Sequence, residues 1–168
     1  MALIVADGTG RADAESYISV ADASTYHTNR GNTAWAAASS GDQETALRRA
    51  ADYMQQAYRL RWKGYRVWLS QALDWPRSGV IYRDSYLSAF YLTTEVPGEV
   101  RHAQCELALR ALSESLNPDV TQAIKSETVG PLKVEYDSYS PPGPVFISID
   151  QLLLPLLKGT GVNVRLVK

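Results

Sequence analysis

The segment from Asp42 to Leu60 repeats its apolar side chains with the period of an α-helix, and no other feature restricts the possible folds as strongly. At about 100° per residue, one side of this helix is apolar and the other is polar. The apolar side comprises Ala46, Leu47, Ala50, Ala51, Tyr53, Met54, Ala57 and Tyr58, and the polar side comprises Arg48, Arg49, Asp52, Gln55, Gln56 and Arg59. The pattern predicts a helix that packs one face against a core.

A second long helix is predicted from Pro97, a residue favoured at the first helical position, to about Leu116, just before Asn117-Pro118. Apolar residues cover most of its circumference, which is typical of a helix with several packed neighbours. The polar residues form a narrow strip of Glu99, His102, Glu106, Arg110 and Ser113.

Shorter segments carry helix start and stop signals. Ser19 with Asp22 three residues later is a capping pattern, and the helix that it starts is predicted to end at residues 29–31, where Gly31 can adopt the left-handed conformation. Residues 69–73 are predicted to form a short helix that ends before Pro76, since the residue before a proline disfavours the helical conformation.

After Pro118 the long helical patterns end and shorter segments of other types follow. Residues 124–129 and 132–136 flank a Gly130-Pro131 turn, and apolar and polar side chains alternate along 132–136, which predicts a β-hairpin. A proline-rich linker (138–144), a short helix (149–157) and an extended arm (161–168) are predicted to follow. We therefore predict a mainly α fold: a helical bundle with two long helices, plus a β-hairpin and an extended C-terminal arm. Residues 1–118 are assigned to the bundle with an extended N-terminal segment, and residues 119–168 to an appendage of the same domain.

Composition narrows the possible classes of protein. With 168 residues the chain suits one domain, and its net charge of -1 argues against a protein that is basic over its whole surface. A single cysteine excludes an intramolecular disulfide and a thiolate cage for zinc. The N-terminal residues lack the pattern of a secretory signal, and the apolar run 152–157 is too short to cross a membrane. We expect a protein that works in a reducing, aqueous compartment without a membrane partner.

No catalytic motif is present. His27 and His102 lie outside any HExxH pattern, and His102 with Cys105 supplies two potential ligands where a metal site needs more. Asp7-Gly8-Thr9-Gly10 lacks the alternating carboxylates of a calcium loop and the lysine of a phosphate-binding loop. We expect no enzymatic activity, no metal and no cofactor.

One stretch has a plausible binding chemistry, and we call it the 58–68 segment. It interleaves the cations Arg59, Arg61, Lys63 and Arg66 with the aromatic residues Tyr58, Trp62, Tyr65 and Trp68. Aromatic faces can stack on unpaired bases while cations follow the phosphates of a single strand. The alternative interpretation is that the tryptophans fill the core or a subunit interface while the cations project into solvent.

Several runs together resemble small proteins encoded by tailed phages. They are SYISVADASTYHTNRG, TAWAAASSGDQETALRRAADYM, QALDWPRSGV, VPGEVRHAQCELALRAL, IKSETVGPLKVEY and IDQLLLPLL, which span most of the chain from Ser16 to Leu157. The sequence resembles head-to-tail connectors, or neck adaptors. Related sequences are also labelled DnaT-like single-stranded-DNA-binding proteins, which is a different functional claim.

The resemblance to connectors implies a ring, of about twelve copies, that docks on the portal protein, extends the DNA channel and receives the next neck or tail protein. Such a protein is assembled in the host cytoplasm and ends in the virion neck, with genomic DNA passing through its channel. Leu153 and Leu154, with Val162, Val164 and Leu166 of the arm, are the expected contacts to neighbouring subunits or the portal. The other label predicts a single-stranded-DNA-binding module that uses the 58–68 segment.

Overall fold

The computed structural model describes residues 2–82, 86, 89–118 and 145–159, together with the backbone of 126–129 and 132–135. This part of the chain confirms the mainly α fold. Its helices are α1 (Val20–Thr28), α2 (Thr33–Ala37), α3 (Ser40–Tyr58), α4 (Gly98–Ala111) and α5 (Ile147–Leu153), followed by a 3-10 turn (Leu154–Leu156). Its strands are β1 (Tyr65–Arg66), β2 (Arg77–Ser78), β3 (Ser126–Val129) and β4 (Leu132–Glu135).

Side-chain caps fix the starts of α1 and α3. The Ser19 hydroxyl accepts a hydrogen bond from the Asp22 backbone N–H at the start of α1, and Ser39 does the same for Asp42 at the start of α3. Each cap satisfies a backbone donor that would otherwise have no partner within the helix. The predicted cap of the first helix is confirmed, and α3 begins two residues before the prediction.

Helix α4 is shorter than predicted at both ends. Pro97 has extended backbone and lies just before the helix, whose last residue is Ala111. The chain then turns: the backbone N–H of Ser113 donates to the Arg110 carbonyl three residues earlier, and the Ser113 hydroxyl donates to the same oxygen at 3.3 Å. Such local side-chain hydrogen bonds of serine compete with continued helix, which accounts for the early end.

One core unites the helices. Helices α3 and α4 pack against each other, α4 also packs on α5, and α1 contacts α2, α3 and α4. Fully buried large side chains include Trp35, Trp62, Trp75, Tyr17, Leu47, Met54, Leu107, Ile149, Leu153 and Leu156. Each buried aliphatic or aromatic side chain contributes roughly 1.5–3 kcal/mol of transfer free energy. Residues 147–157 are therefore part of the same core as the bundle.

The helix predicted over residues 69–73 is wrong. Leu69 is fully exposed and residues 69–74 form turns and bends. The buried side chain of Gln71 replaces helical hydrogen bonds here, since its Oε1 accepts from the Trp68 backbone N–H and its Nε2 donates to the carbonyls of Leu73 and Pro76.

The predicted β-hairpin is confirmed: β3 pairs with β4 in antiparallel register, with Val129 opposite Leu132 and Ser126 opposite Glu135. The proline-rich linker and the C-terminal arm lie outside the described residues. Within the part of the chain that is described, no helix is both long enough and apolar enough to cross a membrane.

Candidate nucleic-acid interface

The 58–68 segment continues from the end of α3 into a small irregular sheet. Strand β1 pairs with β2 in antiparallel fashion, with Arg66 opposite Arg77. The guanidinium of Arg77 is nearly buried and donates to the carbonyl oxygens of Lys63 (2.7 Å), Gly64 (2.8 Å) and Asp74 (3.2 Å). Burial lowers the pKa of Arg77, and the carboxylate of Asp74 opposes that effect. Arg77 thereby fixes the backbone from which the segment presents its side chains.

Two aromatic residues in the first half of the segment, Tyr58 and Trp62, belong to the core. Trp62 is fully buried, and its ring makes an edge contact with Trp75 at 5.7 Å between centroids. Tyr58 is buried beside it, and burial raises the pKa of the Tyr58 phenol. For these two residues the interpretation as core packing is the one that the structure supports. Trp62 has no exposed face on which a base could stack.

The second half of the segment is exposed. Tyr65 is 81% and Trp68 is 56% exposed, although both are large and partly apolar. All four tryptophans of the chain lie among the described residues, and Trp68 is the one that is exposed. Leu60 and Leu69 are also exposed, so aromatic and aliphatic surface borders the cations.

Two of the predicted cations lie near the buried carboxylate of Asp74. The Nε of Arg59 lies 3.7 Å from Asp74 Oδ1, and Arg66 donates to the Gln71 carbonyl nearby. Burial raises the pKa of Asp74, and the positive charges of Arg59 and Arg77 counteract it. Arg59 remains half exposed despite this contact, so its guanidinium faces solvent as well as Asp74.

The other two cations contact the C-terminal segment. Arg61 pairs with Asp150 at 3.2 Å and its guanidinium lies over the Tyr58 ring, while Lys63 donates to the Pro155 carbonyl. An antiparallel bridge between Trp62 and Leu157 joins the two stretches of backbone and brings Lys158 beside them.

Lys158 is a candidate site residue that the sequence did not reveal. Its backbone N–H donates to the Arg61 carbonyl at 2.7 Å and its ammonium lies 3.4 Å from the Leu60 carbonyl. No local pattern links a lysine near the end of the chain to residues 60–61, because the bridge that joins them forms between positions nearly a hundred residues apart.

The predicted assembly contacts lie in different environments. Leu153 is fully buried in the monomer core, whereas Leu154 is 56% exposed. Leu153 is therefore unable to contact a neighbouring subunit in this conformation, because its side chain already packs inside the bundle. Val162, Val164 and Leu166 lie outside the described residues.

His27 and Cys105, two other candidate side chains of the sequence, are buried. His27 is fully buried, its Nδ1 accepts a 3.0 Å hydrogen bond from the side-chain amide Nδ2 of Asn32, and burial lowers its pKa. Burial raises the pKa of Cys105 to about 12, so its thiol is protonated at neutral pH. Among the described residues, no three His, Cys, Asp or Glu side chains are grouped so as to hold a metal ion.

The fold and the site define a class: a small helical protein whose candidate contact surface is an aromatic, basic loop rather than an enclosed cleft. The family model for DnaT-like ssDNA binding protein matches residues 1–168, which is the whole chain. The chain belongs to this family. The comparisons with curated proteins and with solved structures found no match. The resemblance to DnaT-like proteins is thus confirmed, while the comparisons offer no support for the connector.

Proposed function

We propose that this protein binds single-stranded DNA through the exposed half of the 58–68 segment. The observation that carries the proposal is the exposure of Trp68 and of Tyr65, three residues before it in the sequence, on a segment rich in cations. Exposed aromatic rings offer faces on which unpaired bases stack, and such stacking tolerates any base sequence. The membership of a family described by single-stranded-DNA binding supports the same conclusion.

The charges around the segment predict how binding depends on salt. Arg59 and Arg61 each face a carboxylate, whereas the side chains of Lys63, Arg66 and Lys158 bond to backbone carbonyls, which carry no net charge and do not neutralise a cation. About two to three neutralised phosphates correspond to a slope of about -1.4 to -2.1 in a plot of log K against log salt for a single strand. We therefore expect stacking, rather than charge, to supply most of the affinity.

Fluorescence anisotropy with a labelled oligothymidylate tests the proposal. We expect Trp68→Ala to weaken binding by about 5- to 150-fold, since stacking contributes about 1–3 kcal/mol per base. Phe90→Ala is the matched control, because Phe90 is aromatic and 57% exposed but lies in another loop. Absence of binding at low salt, or equal affinities for the Trp68→Ala and Phe90→Ala variants, contradicts the proposal.

A head-to-tail connector is the second candidate, and one observation favours it: the monomer exposes many large apolar side chains. Those outside the 58–68 segment include Ile81, Tyr86, Phe90, Leu92, Ile147 and Leu154. Apolar surface of this kind often marks a contact with another protein. We propose for this candidate a non-catalytic ring of about twelve copies on a portal protein, followed by a neck or tail protein, in the virion neck.

Electron microscopy and light scattering of the purified protein, alone and with a portal ring, distinguish the two candidates. The connector predicts closed rings, or co-migration with the portal. A monomer that forms no ring and binds no portal at high concentration rules the connector out. Rings that fail to bind oligothymidylate favour the connector over the DNA-binding module.

A further inference from the structure

The indole of Trp68 lies directly on the backbone of Gly10. Gly10 has a φ of +80°, which L side chains rarely adopt, and a Cβ added there would lie 2.3 Å from Trp68 Cδ1 and 3.2 Å from its Cγ and Nε1. No real Cβ approaches another carbon so closely. Any side chain at position 10 must therefore displace the five-membered ring of the indole.

The backbone of Trp68 is fixed as well. Its N–H donates to Gln71 Oε1 at 3.0 Å, and the Gln71 side chain is almost completely buried. The next residue, Ala72, donates its N–H to the Arg11 carbonyl at 2.9 Å, which ties residues 68–72 to the loop that contains Gly10. The ring and the backbone of Trp68 are thus held by separate contacts.

We infer that Gly10 is a positioning residue of the DNA site, which covers one part of the Trp68 indole and leaves the rest exposed to stack on an unpaired base. The inference rests on the proposed function and adds the N-terminal loop to the site. An indole that is held in place loses little conformational freedom when a base stacks on it, and pre-organisation of this kind strengthens binding. A displaced indole loses that advantage and presents a different face.

Gly10→Ala tests the inference, and Gly31→Ala is its matched control. Gly31 has a φ of +69°, so both variants strain the backbone, but a Cβ at Gly31 meets no atom within 4 Å. We expect Gly10→Ala to weaken oligothymidylate binding about fivefold or more, as partial loss of one stacked base would. Gly31→Ala should stay within about twofold of the wild type, like other surface changes.

Fluorescence quenching by acrylamide reports the position of the indole independently of DNA. Trp68 is the exposed one of the four tryptophans, so the signal that Trp68→Phe removes belongs to it. We expect this signal to become more accessible to acrylamide in Gly10→Ala and to stay unchanged in Gly31→Ala. Equal affinity and equal quenching in the two glycine variants would overturn the inference while leaving the proposed function intact. A wild-type protein that binds no oligothymidylate overturns the proposed function itself, and the inference with it.

A double variant keeps the test decisive if Gly10→Ala does not fold. Trp68→Ala removes the ring that the new Cβ would meet. The double variant Gly10→Ala/Trp68→Ala should therefore have the same thermal midpoint as the control double variant Gly31→Ala/Trp68→Ala. Failure to recover it means that the Trp68 ring is not what Gly10 accommodates, which overturns the inference.

Discussion

Gln104 is a polar side chain at the centre of the core, and its replacement tests how the bundle is held together. It is fully buried on α4, where its Oε1 accepts from the Tyr17 backbone N–H at 2.8 Å. Its Nε2 donates to Ser16 Oγ at 2.8 Å and to the Leu47 carbonyl at 2.9 Å. One amide therefore links α4 to α3 and to the segment before α1.

Gln104→Leu keeps most of the volume and removes all three hydrogen bonds. The Tyr17 N–H then stays buried without its partner, which costs about 1–3 kcal/mol, and each of the other two bonds contributes about 1 kcal/mol. The greater apolar burial of leucine offsets part of this loss. We expect a net destabilisation of about 2–3 kcal/mol, a large share of the roughly 5–15 kcal/mol that stabilises a typical domain.

Equilibrium urea unfolding, followed by circular dichroism and by tryptophan fluorescence, measures the effect. Gln56→Leu is the control, because Gln56 is an exposed residue of α3 whose side-chain hydrogen bond with Asn117 is also exposed. Gln56→Leu should change the free energy of unfolding by no more than about 0.5 kcal/mol. If Gln104→Leu unfolds with the same free energy as Gln56→Leu, the three hydrogen bonds make no net contribution and the argument fails.

Three further predictions concern other buried groups. Arg77→Lys should reduce DNA binding and the thermal midpoint together, because a lysine is unable to reach the carbonyls of Lys63 and Gly64 at once; an unchanged affinity for oligothymidylate would contradict this. Burial lowers the pKa of His27, so below about pH 6.5 the imidazole gains a proton more readily in the unfolded chain than in the folded protein. The free energy of unfolding should therefore fall by up to about 1.4 kcal/mol for each pH unit of acidification. The urea midpoint of His27→Gln should depend less on pH than that of the wild type. Cys105, with its pKa raised to about 12, should react with a disulfide reagent at pH 8 only at the rate of unfolding, and fast labelling of the native protein would refute its burial.

The sequence predicts those parts of the fold that depend on local signals. The apolar period of α3 and the cap at Ser19 both describe interactions within a few residues, and both are confirmed. The hairpin of β3 and β4 is confirmed for the same reason, since alternation and a Gly-Pro turn are local.

The parts that the sequence mispredicts or misses depend on contacts between distant residues. Glutamine is usually exposed, but Gln104 is buried because its amide satisfies backbone groups of Tyr17 and Leu47, which lie far away in the sequence. The loop predicted as a helix over residues 69–73 is tied to the distant Arg11 carbonyl by the backbone N–H of Ala72. The 58–68 segment shows the same limit. Its composition cannot reveal that Trp62 packs in the core while Trp68 faces solvent, because this depends on the contacts of Trp62 with Trp75 and Leu157.

The pairing of residues 61–63 with 156–158 has a consequence for the order in which the protein is made. The Lys63 N–H donates to the Leu156 carbonyl, and the Lys158 N–H donates to the Arg61 carbonyl. A ribosome synthesises residues 61–63 long before residues 156–158, so a nascent chain that already contains α3 and α4 still has an unpaired edge beside Trp62. The segment proposed to meet DNA is therefore completed only after residues 156–158 have been synthesised, and a chain that stops short of α5 has Trp62 without the backbone of Leu157 that pairs with it.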